Sequence, residues 1–267
     1  MKKSDALTGI GLVIGIVLMI WGMNSSAGYA IFWDYQSIFI TVGGSLGAVL
    51  VSINNDDLKK LGKLFVQSFK EKKSSNIEVV NQFSALSKRA RKEGLLSLED
   101  DISKLDDAFL KKGLQMVVDG IEPDTIKSIM ELEIEEMESR HNSSSAIFSM
   151  WGAYAPAFGM LGTLIGLIQM LVDLSDAASI GAGMGKALIT TFYGSILANM
   201  FCNPIAANLA RKSSKEVKER EMMLEGILAI QSGVNPRIVE EKLLTYLEPN
   251  ERIKYLSTVQ ESSEGVV

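Results

Sequence analysis

Cysteine, histidine and proline are nearly absent from this 267-residue chain, which holds one Cys, one His and five Pro. A single cysteine, Cys202, excludes an intrachain disulfide framework. The lone His141 leaves nothing around which a metal-ligand cluster can be drawn. Also missing are a His-Glu-x-x-His zinc site, a phosphate-cradling glycine loop with its lysine, and a Gly-x-Ser-x-Gly nucleophile turn. No paired carboxylates stand in a catalytic setting either, so the sequence presents no catalytic residues, no metal site and no cofactor site. A formal net charge of −5 argues against nucleic acid, whose binding demands a basic face. The most informative absence is local. Residues 6–23, 37–53, 146–172 and 187–210 contain no Asp, Glu, Lys, Arg or His at all.

Each of these stretches approaches or exceeds the ~20 apolar residues that a helix needs to cross a bilayer core. The expected fold class is all-α: a polytopic membrane protein with four transmembrane helices and a helical cytoplasmic insertion. Lys2 and Lys3 before the first stretch resemble the start of a signal peptide. The run is too long and lacks a clean cleavage site, so a retained first helix is expected. Spans one and two then occupy residues 1–53, the insertion 54–145, spans three and four 146–210, and a helical tail 211–267.

Lys and Arg near helix ends stay on the cytoplasmic side. Lys2 and Lys3 precede the first span, Lys59, Lys60, Lys63, Lys70, Lys72 and Lys73 follow the second, and Arg211, Lys212 and Lys215 follow the fourth. The first connection, about residues 24–36, has no Lys or Arg; the third, about 173–186, has Asp173, Asp176 and only Lys186 at its edge. Both termini and the insertion are therefore expected inside, with the chain in the cytoplasmic membrane. Trp21, Phe32, Trp33 and Tyr35 flank the outer turn as an interfacial aromatic belt would.

Within the insertion, Leu58, Leu61, Leu64 and Phe65 recur at helical spacing, as do Phe83, Leu86 and Ala90. Gly94 breaks one helix. Ser97 and Asp100 stand at capping-box spacing to open another, and Pro123 starts a third after the Asp119-Gly120 turn. That last helix places Ile126, Met130, Ile134 and Met137 on one face and Glu131, Glu135 and Glu138 on another, and runs on into the third span. In the tail, Glu221, Met222, Leu224, Ile227 and Leu228 form a stripe suited to a partner. Pro236 opens a short helix, Pro249 ends it, and residues 257–267 read as disordered.

Glycines 9, 11, 15, 43, 44 and 47 suit close helix packing. The third span carries Pro156, whose missing N–H frees a carbonyl that must be satisfied or face a cavity, with Thr163 two turns further along the same face. The fourth carries Thr190, Thr191, Asn199, Asn203 and Pro204. These threonines and prolines either bond their own helices and kink them or line a polar path. Ion transfer through a low-dielectric core needs a titratable or coordinating group. The spans hold hydroxyls and amides only, so a carboxylate would have to come from a partner.

The strings Tyr154–Gly166 (YAPAFGMLGTLIG) and Ala187–Ala198 (ALITTFYGSILA) resemble the A subunit of the flagellar motor stator, the MotA/PomA family. The segment Ala90–Asp100 (ARKEGLLSLED) is similar to that family's rotor-facing region, and the likeness spans nearly the whole chain. The resemblance implies an ion path through Pro156, Thr163, Thr191 and Pro204. It implies a rotor-binding surface at Arg91 and Glu99, with Lys92 and Asp100 beside them. It implies a MotB/PomB-like B subunit supplying the ion-binding Asp, a homo-oligomeric ring (a pentamer around a B dimer), and the rotor switch protein FliG as the contact for torque. The translocated ion is a proton or sodium, and the two threonines lean toward sodium. A related ExbB/TolQ-like energiser has fewer spans and lacks the arginine–glutamate segment. A non-conducting membrane scaffold would leave the threonines inert.

Overall fold

The structure, a computed structural model, describes residues 6–24, 28–68, 76–172, 174 and 176–264. Lys2, Lys3, Lys70, Lys72, Lys73 and Asp173, used above to orient the spans, lie outside them. The described residues form helices joined by short turns, with no strand among them. They group into two compact units, Met1–Lys72 with Arg140–Lys212, and Lys73–Ser139 with Ser213–Val267.

In chain order the helices are α1 (Ala6–Gly22), α2 (Tyr35–Ile38), α3 (Gly44–Ser52), α4 (Asn55–Ser68), α5 (Asn76–Glu93) and α6 (Glu99–Ser103). There follow α7 (Ala108–Val118), α8 (Pro123–Val172), α9 (Ala177–Ile196), α10 (Asn203–Gln231), α11 (Pro236–Leu244) and α12 (Pro249–Glu264). A π-helical turn, Phe39–Gly43, joins α2 to α3, and a second, Leu197–Cys202, joins α9 to α10.

The first unit is built from the charge-free stretches. Two helical segments, Tyr29–Ser52 and Pro123–Val172, are long and apolar enough to cross a membrane, and Gly9–Gly22 is a shorter apolar helix. Trp21, Trp33 and Tyr35 are all more than 60% exposed, which suits an interfacial belt better than a water-facing surface. The antiparallel pair α8/α9 meets backbone to backbone. A Cβ at Gly166 would lie 2.7 Å from the Gly183 carbonyl oxygen, and one at Gly194 would lie 2.7 Å from that of Ala155. Only glycine permits this approach. Among the glycines of the first two spans, Gly15 and Gly44 are held close, against Met200 and Phe158, whereas Gly9, Gly11 and Gly47 face open space.

Helix α4 packs with this unit. Its Leu61 and Leu64 pack on Phe148, Ile205 and Ala206, and Asn208 Nδ2 donates to the Ser68 carbonyl at 3.2 Å. One correction concerns the third connection. Asp176 caps α9, accepting from Ala178 N at 3.0 Å and Ser179 N at 3.2 Å, so the helix begins at Ala177. Lys186 is therefore well inside a helix and not at a loop edge. The small residues around it (Gly181, Gly183, Gly185) concealed this by weakening the helical signal.

The second unit has one apolar core. Phe83 of α5, Leu98, Ile102 of α6, Leu110 and Leu114 of α7, and Ile126 and Met130 of α8 are essentially solvent-free there, with Met222 and Ile227 of α10 and Leu243 of α11. The stripe on α10 thus packs within its own chain. Asp107 caps α7, accepting from Phe109 N at 2.9 Å and Leu110 N at 3.0 Å, and takes Arg220 Nη1 at 2.9 Å. The Arg220 guanidinium also lies 4.7 Å over the Phe109 ring.

Two expectations for this unit are overturned. Ser97 does not cap a helix with Asp100: Gly94, at φ +86°, turns the chain into a 3-10 segment Leu95–Leu98, and Ser97 Oγ donates back to the Gly94 carbonyl at 2.7 Å. The tail does not stop at Pro249 or become irregular from Ser257. Pro249 opens α12, as a proline's fixed φ suits a first helical turn, and Tyr255, 6% exposed, anchors that helix in the core. Residues 265–267 lie outside the described chain.

Candidate functional site

Pro156 sits inside α8, where it removes the N–H that the Gly152 carbonyl would otherwise accept. One helical turn on, the α8/α9 contact narrows: a Cβ at Gly159 would be 3.1 Å from the Thr190 carbonyl oxygen, and one at Gly162 would be 2.5 Å from Thr190 Cγ2. That contact brings two hydroxyls together. Thr163 Oγ1 and Thr191 Oγ1 are 2.5 Å apart, and Thr163 Oγ1 is 3.0 Å from the Ala187 carbonyl oxygen and 3.1 Å from that of Gly159. Thr191 Oγ1 is 3.4 Å from the Ala187 carbonyl.

Counting protons decides what this pair can do. Each hydroxyl carries one hydrogen and two lone pairs. One proton bridges the two oxygens and the other goes to a carbonyl, which leaves unused acceptor capacity on both oxygens. Thr191 is exposed, and the neighbouring Thr190 is fully buried, its hydroxyl 3.0 Å from the Lys186 and Ala187 carbonyls. So Thr191, and not Thr190, presents an oxygen to the open face. Neither α8 from Ala146 to Val172 nor α9 carries an acidic side chain to accompany the pair, and the α9 cap Asp176 stands at the far end of that helix.

Pro156 and the threonines are thus brought together along one helix contact, where Gly194 of α9 lies against Pro156. Pro204 is elsewhere. It follows the π-helical turn Leu197–Cys202 and lines an apolar groove of about 870 Å³ with Gly11, Gly15, Asn199 and Arg211, which neither threonine touches. A π-turn directly before a proline reroutes the carbonyls that the proline leaves without a donor. Nothing in the sequence pattern distinguishes such a turn from ordinary helix.

The residues that the resemblance marks for a rotor contact lie in the second unit. Arg91, Lys92, Glu99 and Asp100 are all exposed, and none forms an ion pair among the described residues. Arg91 and Lys92 line a cleft of about 690 Å³ with Lys88, Arg237 and Leu256, whereas Glu99 opens α6 beyond the Gly94 turn. The pair that fixes this corner is one the sequence did not single out. Arg89 Nη1 meets Asp101 at 2.6 Å and its Nε meets Glu93 at 3.2 Å. These bonds, led by the one to Asp101, hold the Arg89 guanidinium charged above its already high ordinary range. The i,i+4 spacing to Glu93 was visible; the bond across the turn was not.

Comparison with known proteins bears on this arrangement. The model of the MotA/TolQ/ExbB proton channel family matches residues 101–222, which include the α8/α9 contact and both threonines. Motility protein A of Borreliella burgdorferi is 39% identical over 254 residues, covering 95% of this chain and 97% of the relative. The chain belongs to the MotA/PomA family. Chemotaxis protein PomA of Vibrio alginolyticus is 34% identical over 93% of this chain and 97% of its own. Among solved structures, the flagellar MotAB stator complex from Bacillus subtilis aligns with a TM-score of 0.87 at 38% identity, covering 94% of this chain and 99% of that one. A MotA/PomA fold thus carries both the hydroxyl pair and the exposed Arg91–Glu99 corner, and its family is one of ion channels, not enzymes.

Proposed function

We propose that this chain is the ion-conducting A subunit of a bacterial flagellar motor stator, converting inward proton or sodium flow into torque on the rotor. The observation that carries the reading is the Thr163–Thr191 hydroxyl pair, two oxygens 2.5 Å apart on an exposed face without an acid of its own. A cation dehydrating at that face gains two neutral oxygen ligands but no counter-charge. A carboxylate must therefore approach from outside the chain, and a MotB/PomB-like B subunit supplies it as an Asp on its single membrane helix. The A subunits form a pentamer around a B dimer, each with four spans, both termini inside and α8 and α9 lining the path.

Ion binding neutralises the partner's carboxylate and release restores it. The contact between that carboxylate and the hydroxyl face alternates in strength, which biases rotation of the ring. Pro156, Pro204 and the Leu197–Cys202 turn relax the helix backbone along which that movement must pass. On the cytoplasmic side, Arg91, Lys92, Glu99 and Asp100 present both charge signs to FliG. Complementary charge at a transient contact gives orientation more than affinity. Sodium favours the oxygen ligands of Thr163 and Thr191, so coupling leans to sodium.

The test is complementation. Expressed with its cognate B subunit in cells lacking their own stator, the chain restores swimming. The same pair with the membrane Asp of the B subunit changed to Asn does not. Swimming that survives the loss of that carboxylate would refute the reading.

A further inference from the structure

The one basic side chain lodged within α9 has no role in the arrangement above. Lys186 lies in the tenth position of that helix and is partly buried. Its Nζ donates to Gln36 Oε1 of α2 at 2.6 Å and to Gln169 Oε1 of α8 at 2.9 Å. Two amide oxygens from two other helices thus fix the ammonium in place. A long lysine stem ordinarily lets its head swing free toward water; here both ends are tied. Gln169 is six residues beyond Thr163 on α8, about 9 Å further along the helix axis, so its amide holds the charge outward of the hydroxyl pair. The link is also direct through the backbone: the Lys186 carbonyl accepts from Thr190, and the next carbonyl, Ala187, accepts from Thr163.

A fixed positive charge at this distance from a cation site has one electrostatic consequence. It raises the free energy of a cation at the hydroxyls and on the approach to them, by an amount that solvent and salt reduce because the Lys186 bonds are exposed. Asp34 is within electrostatic reach of Lys186, and the Ser37 N–H and hydroxyl bonds favour its ionised form, so its carboxylate offsets part of the lysine's field and leaves the part nearest the ammonium. We infer that Lys186 is an electrostatic barrier at the outer mouth of the ion path, raising the concentration of driving cation needed for half-maximal flux. This rests on the proposed stator function, with the turn between α8 and α9 facing outward.

The experiment is swimming speed against external sodium at fixed pH, and against external pH at fixed sodium, with the cognate B subunit present. Lys186→Gln removes the charge but keeps an amide able to bond Gln36 or Gln169. It should lower the half-saturating concentration of the driving cation roughly three- to tenfold. Lys186→Arg keeps the charge and should stay within about twofold of the unmutated protein. Choline chloride should shrink the difference, since exposed charges are screened over about 10 Å at 0.1 M salt.

A lesion that merely loosened the helices would lower maximal speed and would not improve apparent affinity. Lys186→Cys provides a second arm, because the native Cys202 is 1% exposed and shielded from reagents. Labelling with an aminoethyl thiosulfonate should restore the high half-saturation, whereas methyl thiosulfonate should leave it low. Equal values for the two labels, or an unchanged or raised value for Lys186→Gln, would overturn the inference. If Thr163→Ala shifts the titration while Lys186→Gln does not, the inference fails and the stator reading stands. If speed of the unmutated protein follows neither cation, both fail.

Discussion

Replacing Gly166 with alanine adds one methyl group where two backbones already touch. The new Cβ would lie 2.7 Å from the Gly183 carbonyl oxygen and 2.8 Å from the Ala187 amide nitrogen. Neither neighbour is a side chain that can rotate away. Ordinary contact begins near 3.4 Å, so α9 must move off α8 by about 0.7 Å. Overpacking of this kind costs about 1–3 kcal/mol, and alanine returns up to ~1 kcal/mol of helix propensity. The net loss of roughly 0–2 kcal/mol, with the full propensity gain counted, lowers the melting temperature by up to about 8 °C in a protein of this size. Function should suffer more than stability, because the displaced peptide carries the Ala187 carbonyl that holds Thr163. Melting of the detergent-purified complex and spreading in soft agar are the two readouts. Gly181→Ala is the control, since a Cβ there meets nothing within 4 Å in this chain and only the propensity gain remains. A Gly166→Ala protein that melts and swims as the unmutated one does, or a control equally impaired, would refute the backbone-contact argument.

Thr163→Ala removes one oxygen from the hydroxyl pair and should weaken cation binding by roughly 1 kcal/mol, slowing motility most at low sodium, while Thr163→Ser keeps the oxygen and swims nearly normally. Charge reversal at Arg91 or Glu99 should reduce torque in tethered cells without changing the membrane level of the complex, and a compensating reversal on FliG should restore it. Arg220→Ala deletes the bond to Asp107 and the stacking on Phe109, and should cost the second unit about 2–3 kcal/mol, read by limited proteolysis. Burial, with Glu225 and Glu221 adding to it, holds the Tyr246 phenol above its usual range, and burial with Glu240 does the same for Tyr255. The folded state then keeps protons that the unfolded chain releases. Stability from these groups is present below about pH 10 and lost as the pH rises through their raised values; absorbance at 295 nm should show two late-titrating tyrosines.

The sequence disclosed the charge-free stretches, the 50-residue run of α8 from Pro123, and the role of Gly94 as a break, because each rests on a local signal: hydropathy, a proline at a helix start, a residue that tolerates positive φ. Thr163 and Thr191 were singled out by composition and resemblance, but their contact depends on glycines of two helices meeting at Gly166 and Gly183, a pairing with no one-dimensional trace. Lys186 was misplaced because charge was taken as a loop marker, whereas amides from two other helices hold it. The tail failed for a related reason. Residues 249–264 lack a strong apolar stripe of their own, and a single buried tyrosine docks the helix. Both π-turns are invisible to pattern, since Phe39–Gly43 (FITVG) and Leu197–Cys202 (LANMFC) share no common motif.

The central claim, that the exposed hydroxyl face of α8 and α9 receives the carboxylate helix of a B subunit, is tested most directly by disulfide cross-linking in native membranes. In a Cys202→Ala background, Thr191→Cys paired with a cysteine next to the membrane Asp of the B subunit should form an A–B cross-link on mild oxidation. Thr190→Cys, fully buried and one position away, should form none. Cross-linking from position 190 but not from 191, or from neither, would contradict the account.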